Sequence, residues 1–397
     1  MSERLHSGVV VLSVNAGSSS VKTALFSVTP SDGPRRLAAV AASGIGEDDA
    51  MLSWQIDGRR HADRRERIDD HHHAIGAIMD ALHDADLPVP HAVGHRIVRS
   101  PRGRAAPARL DEGLRAALED CRTLAPLHIP TELESVDAAR EHFPGAEQIV
   151  CFDNHFFSRL PAVARRLPLP RDLDEAGFEK IGYHGLSYEY IVHRLGNLHG
   201  RTVIAHLGNG ASMAALRDAE PVDTTMGYTP TGGLMMGTRT GDLDPGVLVA
   251  LMRQRGLDAD GLERLVNHRG GLAGVSGGES SMRALLQRAT DDHPANQAVD
   301  LFCYTARKHL GGMIAALGGA DTIVFTGGIG ENSPEVRARI LDDLDDLGIV
   351  LDGPANRAGM PDIASRYSRV RIRVIPTDED WVIARHAADL LTEEQYA

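Results

Sequence analysis

Apolar runs rich in β-branched residues alternate with short runs of small polar residues near the start of the chain. Two such apolar runs, 9–15 and 21–28, flank the glycine- and serine-rich segment 16–20. The same order recurs roughly 190 residues later, which indicates an internal repeat. Its apolar runs and its turn are 202–206, 213–216 and 208–212. Each segment therefore predicts a strand, a tight hairpin turn and a second strand, and together they predict two related halves built on sheets.

A third apolar run, 322–326, leads through glycines into a helical pattern. Ser333 is the predicted N-cap of that helix and Pro334 its first residue. The segment 161–174, with its Pro and Arg residues, predicts a loop near a domain boundary. Helical spacing of apolar residues predicts helices at 73–83, 113–121, 188–195, 246–254, 296–317 and 335–347. Strands and helices are mixed throughout, so the predicted fold class is α/β.

Composition is that of an ordinary globular protein. The chain has 397 residues, 42% hydrophobic and 24% charged. Since a single core rarely grows beyond roughly 250–300 residues, two domains are expected. The apolar run 9–12 is too short for a signal peptide or a membrane span. Three widely spaced cysteines (Cys121, Cys151 and Cys303) favour reduced buried thiols over disulfides or a zinc site, and therefore a cytoplasmic protein.

Charge excludes some partners. The chain has 42 Lys and Arg against 55 Asp and Glu, a formal net charge of −13. Nucleic acids and anionic membranes require a basic face, so neither is expected as a partner. An anionic small molecule would need local cations that outweigh this overall charge.

Glycine turns follow three of the predicted strands. Backbone amides at such turns are suited to phosphate oxygens, although no Walker motif is present. One glycine turn alone would predict only a hairpin, whereas three favour a nucleotide site shared between the halves. Asn15 and Lys22 border the first turn and are candidates for Mg²⁺ and phosphate contacts. The alternative is a hydrophilic hairpin with a solvated lysine.

Arginines stand out where the surrounding residues are glycine or aliphatic. Arg96 ends one apolar run and Arg239 lies within Gly237-Thr238-Arg239-Thr240-Gly241. A guanidinium in such surroundings favours a specific anion partner. His184 and His206 are further candidates, with a structural role as the alternative for each. The consecutive histidines 71–73 are predicted to be the exposed start of a helix.

Two acidic residues have alternative interpretations. Asp153 follows the apolar run 149–152 at a predicted strand end, where open-sheet active sites commonly lie. Its alternative role is a turn or helix cap. Glu379 precedes a predicted C-terminal helix and either caps that helix or binds a metal.

Taken together, these motifs resemble those of the acetate kinases, the short-chain carboxylate kinase family. The matching segments follow the family's order along nearly the whole chain. They are V-N-A-G-S-S-S-V-K (14–22), G-H-R-I-V (94–98), L-A-P-L-H (124–128), F-D-N (152–154), G-Y-H-G (182–185), H-L-G-N-G-A-S (206–212), D-T-T-M-G-Y-T-P (223–230), M-G-T-R-T-G-D-L-D-P (236–245), F-T-G-G-I-G-E-N (325–332) and I-P-T-D-E-D (375–380).

The resemblance implies two duplicated actin-like (ribonuclease-H-like) ATPase domains around a central cleft. The first would comprise 1–155 with a returning helix at 380–397, and the second 156–379. The implied activity is reversible phosphorylation of acetate by ATP, giving acetyl phosphate and ADP. The resemblance also implies Mg²⁺, with Mn²⁺ as an alternative, and a homodimer.

The resemblance also assigns site residues. Arg96, Asp153, His184 and Arg239 would be catalytic, with Asp153 orienting an arginine or a Mg²⁺-bound water. Asn15 and Glu379 match the metal positions. The matching substrate-pocket residues are Arg96, Val98, Leu127, Tyr183 and Pro230. The matching nucleotide contacts are Lys22, His206, Leu207, Gly208, Asn209, Gly210, Ser281, Met282, Arg283, Gly328, Ile329, Gly330, Glu331 and Asn332.

Some segments depart from the family pattern: Arg99-Ser100-Pro101 for His-Gly-Gly, Ile129 for Asn, Leu186-Ser187-Tyr188 for Thr-Ser-His, and Ser281 for Asp. We expect these changes to affect pocket walls and the adenosine rim rather than the charged groups. Two alternatives remain open. One is a propionate or butyrate kinase with the same mechanism, and the other is a degenerate nucleotide-binding homologue with a regulatory role.

Overall fold

The computed structural model describes residues 8–17, 19–125, 128–196 and 200–393. The chain divides into two compact units. Unit 1 comprises Met1–His155 with Asp378–Ala397, and unit 2 comprises Phe156–Thr377. Each unit is built on one sheet with helices packed against it.

In chain order, the strands are β1 Val9–Gly17, β2 Ser20–Thr29, β3 Gly33–Ser43, β4 Met51–Ile56, β5 Arg59–Arg60, β6 Arg64–Arg65, β7 Ala92–Ile97, β8 Ala108–Arg109, β9 Glu147–Phe152, β10 Arg201–Leu207, β11 Ala211–Arg217, β12 Glu220–Thr224, β13 Thr322–Thr326 and β14 Arg371–Val374. The helices are α1 His71–Asp84, α2 Glu112–Glu119, α3 Ile129–His142, α4 Ala162–Arg165, α5 Arg171–Glu175, α6 Gly185–Leu195, α7 Pro245–Arg255, α8 Ala259–His268, α9 Gly271–Ser276, α10 Met282–Arg288, α11 His293–Leu317, α12 Gly327–Asn332, α13 Pro334–Leu341, α14 Gly353–Arg357 and α15 Glu379–Glu393.

Both sheets share one topology. In unit 1 the central order is β3-β2-β1-β7-β9, in which β1, β2 and β3 are antiparallel and β1, β7 and β9 are parallel. In unit 2 the order is β12-β11-β10-β13-β14, with the same antiparallel and parallel pairings. The predicted α/β class and internal repeat are therefore confirmed, and each unit is one copy of the same arrangement.

The last helix belongs to the first unit. α15 packs against β1 and β7. A Cβ atom at Gly94 of β7 would lie 2.5 Å from Ile383 Cγ2 of α15, so only glycine permits this close approach. α1 and α3 pack together, and side chains from both join those of β1 to β4 in an apolar cluster.

Several predicted elements are confirmed. β1 and β2, and likewise β10 and β11, form the two predicted hairpins. Ser333 caps α13, since its hydroxyl accepts the Val336 N–H, and Pro334 is the first residue of that helix. The predicted helices 73–83, 113–121, 188–195, 246–254 and 296–317 correspond to α1, α2, α6, α7 and α11.

Other predictions were wrong. The helix predicted over 335–347 ends at Leu341, because Asp343 adopts a left-handed backbone with φ of 59°. The loop predicted over 161–174 contains α4 and the first part of α5, each starting directly after a proline. His71 is not exposed: it is buried, and its Nε2 lies 2.8 Å from the Gly17 carbonyl oxygen. The glycine segment after β13 is helical, forming α12.

The cysteines are buried and unpaired, as expected. Burial raises the pKa of the Cys303 thiol to about 12, which keeps it protonated at neutral pH. Within the described ranges, no helix combines the length and apolar character needed to cross a membrane.

Candidate active site

Three predicted site residues of unit 1 lie at one edge of its sheet. Asn15 is near the end of β1, Arg96 is near the end of β7, and Asp153 directly follows β9. Because these strands are parallel neighbours, their carboxyl ends meet, which is where ligands bind in open α/β sheets. The sheet topology therefore brings together residues that are up to 138 positions apart in sequence (153 − 15).

Arg96 is the centre of this group. Its guanidinium Nη2 lies 2.5 Å from Asp153 Oδ2, and its Nη1 donates to Asn15 Oδ1 at 3.2 Å. Its Nε lies 3.8 Å from Glu379 Oε2. Burial disfavours the Arg96 charge, but Asp153 and Glu379 outweigh it and raise the pKa of Arg96 above its ordinary value. The arginine is thus held charged and in a fixed orientation.

Asp153 is fully buried, and one oxygen of its carboxylate forms a salt bridge with the Arg96 guanidinium. Its second oxygen, Oδ1, is also buried and has no hydrogen-bond partner among the described residues. The alternative interpretation of Asp153 as a simple turn cap is therefore not favoured.

Glu379 does not cap α15. The N–H of Trp381 donates to Asp378 Oδ1 at 3.1 Å, so Asp378 is the residue that caps the helix. Glu379 instead lies beside Arg96. Burial raises the pKa of Glu379 to about 7, while Arg96 and Lys22 act in the opposite direction. Lys22 stands directly opposite Asn15 in the β1–β2 pair, and its side chain is exposed.

The oxygen-rich chemistry of this group fits a hard divalent cation such as Mg²⁺. Asn15 and Glu379 supply amide and carboxylate oxygens, and Asp153 Oδ1 is a buried oxygen without a partner. Among the residues that the structure describes, no three His, Cys, Asp or Glu side chains are arranged to hold a metal by themselves. Mg²⁺ usually takes few protein carboxylates and completes its shell with water and phosphate oxygens, so the set is compatible with it.

Glu132 is a site residue that the sequence interpretation missed. It lies on α3 and is fully buried, and both of its carboxylate oxygens accept the Val98 N–H, at 3.1 and 3.2 Å. Burial raises its pKa to about 8, with Arg96 opposing the shift. Helical spacing was the available signal, because Ile129, Leu133 and Val136 put Glu132 on the buried face. Val98 is buried, whereas Leu127 lies outside the described residues.

We expect Glu132→Gln to change how stability depends on pH. The folded state keeps a proton that the unfolded state releases near the ordinary glutamate pKa of 4.5, so its contribution to stability falls as pH rises toward about 8. The maximum slope for one proton is about 1.4 kcal/mol per pH unit. The glutamine can still accept the Val98 N–H but cannot ionise, so the variant should gain stability relative to the parent protein between pH 5 and 8.

Urea unfolding of both proteins at several pH values within this range measures the difference. Glu134→Gln is the matched control, because Glu134 lies on the same helix but is exposed. Parallel stability curves for the parent protein and the Glu132→Gln variant would contradict this prediction.

In unit 2, two glycine segments lie side by side. β10 and β13 are parallel neighbours, so the turn after β10 and the start of α12 meet at one sheet edge. A Cβ at Gly327 would lie 2.8 Å from the Leu207 carbonyl oxygen, so a side chain there would clash. A Cβ at Gly208 would lie 3.9 Å from the Gly328 amide nitrogen. The structure thus places segments 206–210 and 328–332 together at one edge of the unit 2 sheet.

Two side chains of α12 form hydrogen bonds within unit 2. Glu331 Oε1 accepts the N–H groups of Gly327 and Thr377, at 2.9 and 3.1 Å. Asn332 Nδ2 donates to the Gly328 carbonyl oxygen at 3.0 Å. These contacts tie the Glu331 and Asn332 side chains to the backbone of their own unit.

His184, His206 and Arg239 lie next to the same glycine turn. The His184 and His206 rings stack with centroids 4.4 Å apart. A Cβ at Gly210 would lie 3.2 Å from His184 Nε2 and 3.7 Å from Arg239 Nη1, so both groups converge on this glycine. His184 has φ of 60°, a left-handed conformation that is uncommon for a side-chain-bearing residue and frequent at functional sites.

The remaining pocket candidates of unit 2 contact one another through the backbone. Arg239 Nη1 donates to the Pro230 carbonyl oxygen at 3.0 Å, which fixes the arginine beside Pro230. Tyr183 is buried, and its hydroxyl donates to the Tyr228 carbonyl oxygen at 2.9 Å. The segment 227–230 therefore links both candidates.

Ser281 has a structural role that the sequence did not indicate. Its hydroxyl accepts the Ala284 N–H and thereby caps α10. Met282 is buried and Arg283 is exposed, so their side chains point to different environments.

One expectation about the departures from the family pattern was wrong. The change at 186–188 was expected to leave the charged groups untouched. The hydroxyl of Tyr188 instead lies 2.6 Å from Ser212 Oγ, which lies 2.9 Å from His184 Nδ1. This departure therefore reaches His184 through Ser212.

Comparison with known proteins shows similarity over nearly the full chain. The acetokinase family matches residues 10–385. An acetate kinase of Methylocella silvestris is 41% identical, over 96% of this chain and 98% of that protein. The solved acetate kinase of Porphyromonas gingivalis superposes with a TM-score of 0.84 at 34% identity, covering 96% of this chain and all of that one. A propionate kinase from Francisella tularensis superposes with a TM-score of 0.88 at 29% identity, covering 95% and 98%.

Proposed function

We propose, from the premise that this chain belongs to the acetokinase family, that it transfers the terminal phosphoryl group of ATP to acetate, reversibly, giving acetyl phosphate and ADP. The observation that carries this proposal is the convergence of His184 Nε2 and Arg239 Nη1 on Gly210, beside two adjacent glycine segments. Two donors over a backbone turn suit a transferring phosphoryl group, whose negative charge is spread over its oxygens.

Carboxylate chemistry explains why the site is cationic. Acetate has a pKa close to the reference value of about 4.3 for a Glu side chain, so it is ionised at neutral pH and requires no general base. The difficulty is that an anionic nucleophile must approach an anionic phosphate. Arg96 and Arg239 offset this repulsion, and an arginine in this role supplies roughly 10³–10⁵ in rate in other phosphoryl-transfer enzymes.

In unit 1, we assign Arg96 to the substrate carboxylate or the phosphoryl oxygens. Asp153 holds its guanidinium in orientation through the 2.5 Å contact, and does not deprotonate acetate. Glu132 fixes the Val98 amide, and we assign Val98 to the substrate methyl group. The family resemblance adds Leu127, which lies outside the described residues. Asn15 and Glu379 would hold Mg²⁺, or Mn²⁺, which would supply positive charge against the negative charge of the phosphate groups.

In unit 2, the backbone of 206–210 and 328–332 would hold the nucleotide phosphates. In unit 1, Lys22 is assigned to a phosphate contact by the family resemblance. Ser281, Met282 and Arg283 would border the adenosine. Tyr183 and Pro230 are the residues of unit 2 that we assign to the acyl group. We take the two units as the two actin-like domains of the family.

We further propose a cytoplasmic homodimer. The buried, reduced thiols suit a reducing compartment. Helix α7 favours self-association. All of its residues are described, and none of them is buried. On this helix, the apolar side chains of Val247, Val249 and Met252 are 43–47% exposed. Exposed apolar side chains that lie together are typical of a protein–protein interface. Light scattering that gives a monomer mass at micromolar concentration would contradict the dimer.

The activity test is formation of acyl hydroxamate from acetate, ATP and hydroxylamine, with and without Mg²⁺. The proposed function requires metal-dependent product. Nucleotide binding without product for any short carboxylic acid would instead support the degenerate homologue.

Acyl-chain preference is expected to favour acetate. We predict that kcat/KM falls by roughly 10–200-fold from acetate to propionate and further to butyrate, because each added methylene costs about 1–3 kcal/mol in a pocket closed by residues such as Tyr183. Comparison of kcat/KM for acids of one to four carbons, with ATP and with GTP, measures this. A maximum at propionate or butyrate would reassign the substrate while leaving the phosphoryl-transfer mechanism unchanged.

A further inference from the structure

A chain of hydroxyl groups leads from helix α6 to the His184 ring. The Tyr188 hydroxyl lies 2.6 Å from Ser212 Oγ, and Ser212 Oγ lies 2.9 Å from His184 Nδ1. Tyr188 and Ser212 are both fully buried. Buried polar groups are satisfied by protein partners, so these contacts constrain where the protons lie.

The direction of donation follows from the chemistry of the two hydroxyls. A phenol, with a reference pKa of about 10, is far more acidic than an aliphatic hydroxyl and is therefore the better donor of the pair. If Tyr188 donates to Ser212, the single Ser212 proton is free to point at His184 Nδ1. A neutral His184 that accepts at Nδ1 must carry its own proton at Nε2.

The surroundings of His184 favour the neutral ring. His206 stacks on it at 4.4 Å, and Arg239 Nη1 lies on the same side of Gly210. A positive charge on His184 would be repelled by the guanidinium of Arg239. A neutral His184 can still donate a hydrogen bond to a phosphoryl group, but only if its proton is on Nε2, the atom that faces Gly210.

The neighbouring histidine is held in the same way. His206 Nδ1 lies 2.8 Å from Ser187 Oγ, which lies 2.8 Å from Thr377 Oγ1. Each ring of the stacked pair therefore has its Nδ1 on a serine. His206 stands opposite Ser212 in the β10–β11 backbone pairing, but its Nδ1 contacts Ser187 rather than Ser212. Its ring signals therefore serve as an internal reference for the side-chain change at Ser212.

We propose that Tyr188 and Ser212 are positioning residues that keep neutral His184 in the Nε2–H tautomer, so that it donates a hydrogen bond to the transferring phosphoryl group. This inference rests on the proposed role of His184 in phosphoryl transfer. It gives the Tyr188 hydroxyl a specific role. Tyr188→Phe would keep the aromatic packing and remove only the hydroxyl that donates to Ser212.

The direct test is ¹⁵N NMR of the full-length protein labelled at histidine, with the His184 signals identified by their loss in His184→Gln. The parent protein should show the neutral Nε2–H pattern at pH 7.5. Ser212→Ala should convert His184 partly or wholly to the Nδ1–H tautomer and leave the His206 signals unchanged. The parent protein showing Nδ1–H or a cationic His184 would overturn the proposal.

Kinetics supply the second readout. Ser212→Ala should lower kcat by at least about 10-fold with little change in KM for acetate, because loss of the correct tautomer weakens the transition state. Tyr188→Phe should have a smaller effect of the same kind. The double variant should be no slower than Ser212→Ala, since Tyr188 acts through Ser212. Additive losses would mean that the two residues act separately and would overturn the relay.

Tyr190→Phe is the matched control, because it removes a hydroxyl from the same helix roughly 200° around the axis. It should change neither the His184 signals nor kcat. If Ser212→Ala fails to fold, Tyr188→Phe carries both readouts, since it removes one oxygen only. If the parent protein phosphorylates no carboxylate, the proposed function is wrong. If the parent protein is active but the His184 tautomer is unchanged in both variants, only this inference is wrong.

Discussion

Replacing Arg239 by alanine is expected to lower the rate of acetyl phosphate formation by more than about 10²-fold. Its guanidinium is held by the Pro230 carbonyl oxygen and shares the space over Gly210 with His184, so it is oriented before substrate binds. Because the charge that it offsets is greatest in the transition state, kcat should fall far more than KM rises. Coupled ADP release and hydroxamate formation should report the same loss.

Two further variants sharpen the result for Arg239. Arg239→Lys keeps the positive charge but not the planar fork, and should recover only part of the rate. Arg194→Ala removes an exposed arginine from the same unit and should leave kcat unchanged. Activity of Arg239→Ala within a few-fold of the parent protein would contradict the role that we assign to Arg239.

The second large effect is expected for Asp153→Asn, which should lower kcat by roughly 10²–10³-fold. The amide retains the shape of the side chain but leaves the charged Arg96 without the partner at 2.5 Å. Removing one partner from a buried ion pair typically destabilises a protein by about 3–5 kcal/mol. Because Arg96 is 20% exposed and Glu379 lies nearby, we expect the lower end of that range.

A double variant separates folding from catalysis in this pair. Asp153→Asn with Arg96→Gln removes both charges and should recover much of the lost stability, but no activity. Asp137→Asn is the matched control, since it breaks the half-exposed pair with Arg115 at 2.8 Å and should cost at most about 1 kcal/mol without changing kcat. Recovery of activity in the double variant would contradict the roles assigned to both Arg96 and Asp153.

These effects help to explain how an acidic chain can act on anions. The formal charge of −13 describes the whole molecule. At the two sheet edges the charges are arranged differently, with Arg96 in one unit and Arg239 in the other, each fixed by oxygen atoms of its own unit. Local geometry, rather than net charge, therefore decides which anions bind.

Sequence patterns were most reliable where local chemistry sets the backbone. The hairpins at 16–20 and 208–212, the cap at Ser333 and the repeat of the sheet unit all depend on neighbours along the chain. The patterns failed where a local choice depends on a distant contact. His71 is such a case, because it is buried where its Nε2 meets the Gly17 carbonyl oxygen. α3 is a different case, since apolar residues at helical spacing mark its buried face and the local signal was present.

By itself, the sequence determined the α/β class, the duplicated sheet unit and the family, and it listed charged candidates for phosphoryl transfer. Only the tertiary structure decided which of these residues meet. Parallel pairing of β1, β7 and β9 brings Asn15, Arg96 and Asp153 to one edge. The folded chain alone also showed that Asp378 caps α15, that Glu132 holds Val98, and that Tyr188 reaches His184 through Ser212. The physical reason is that hydrogen bonds and ion pairs depend on distances of a few ångströms between residues far apart in the chain, which a linear pattern does not specify.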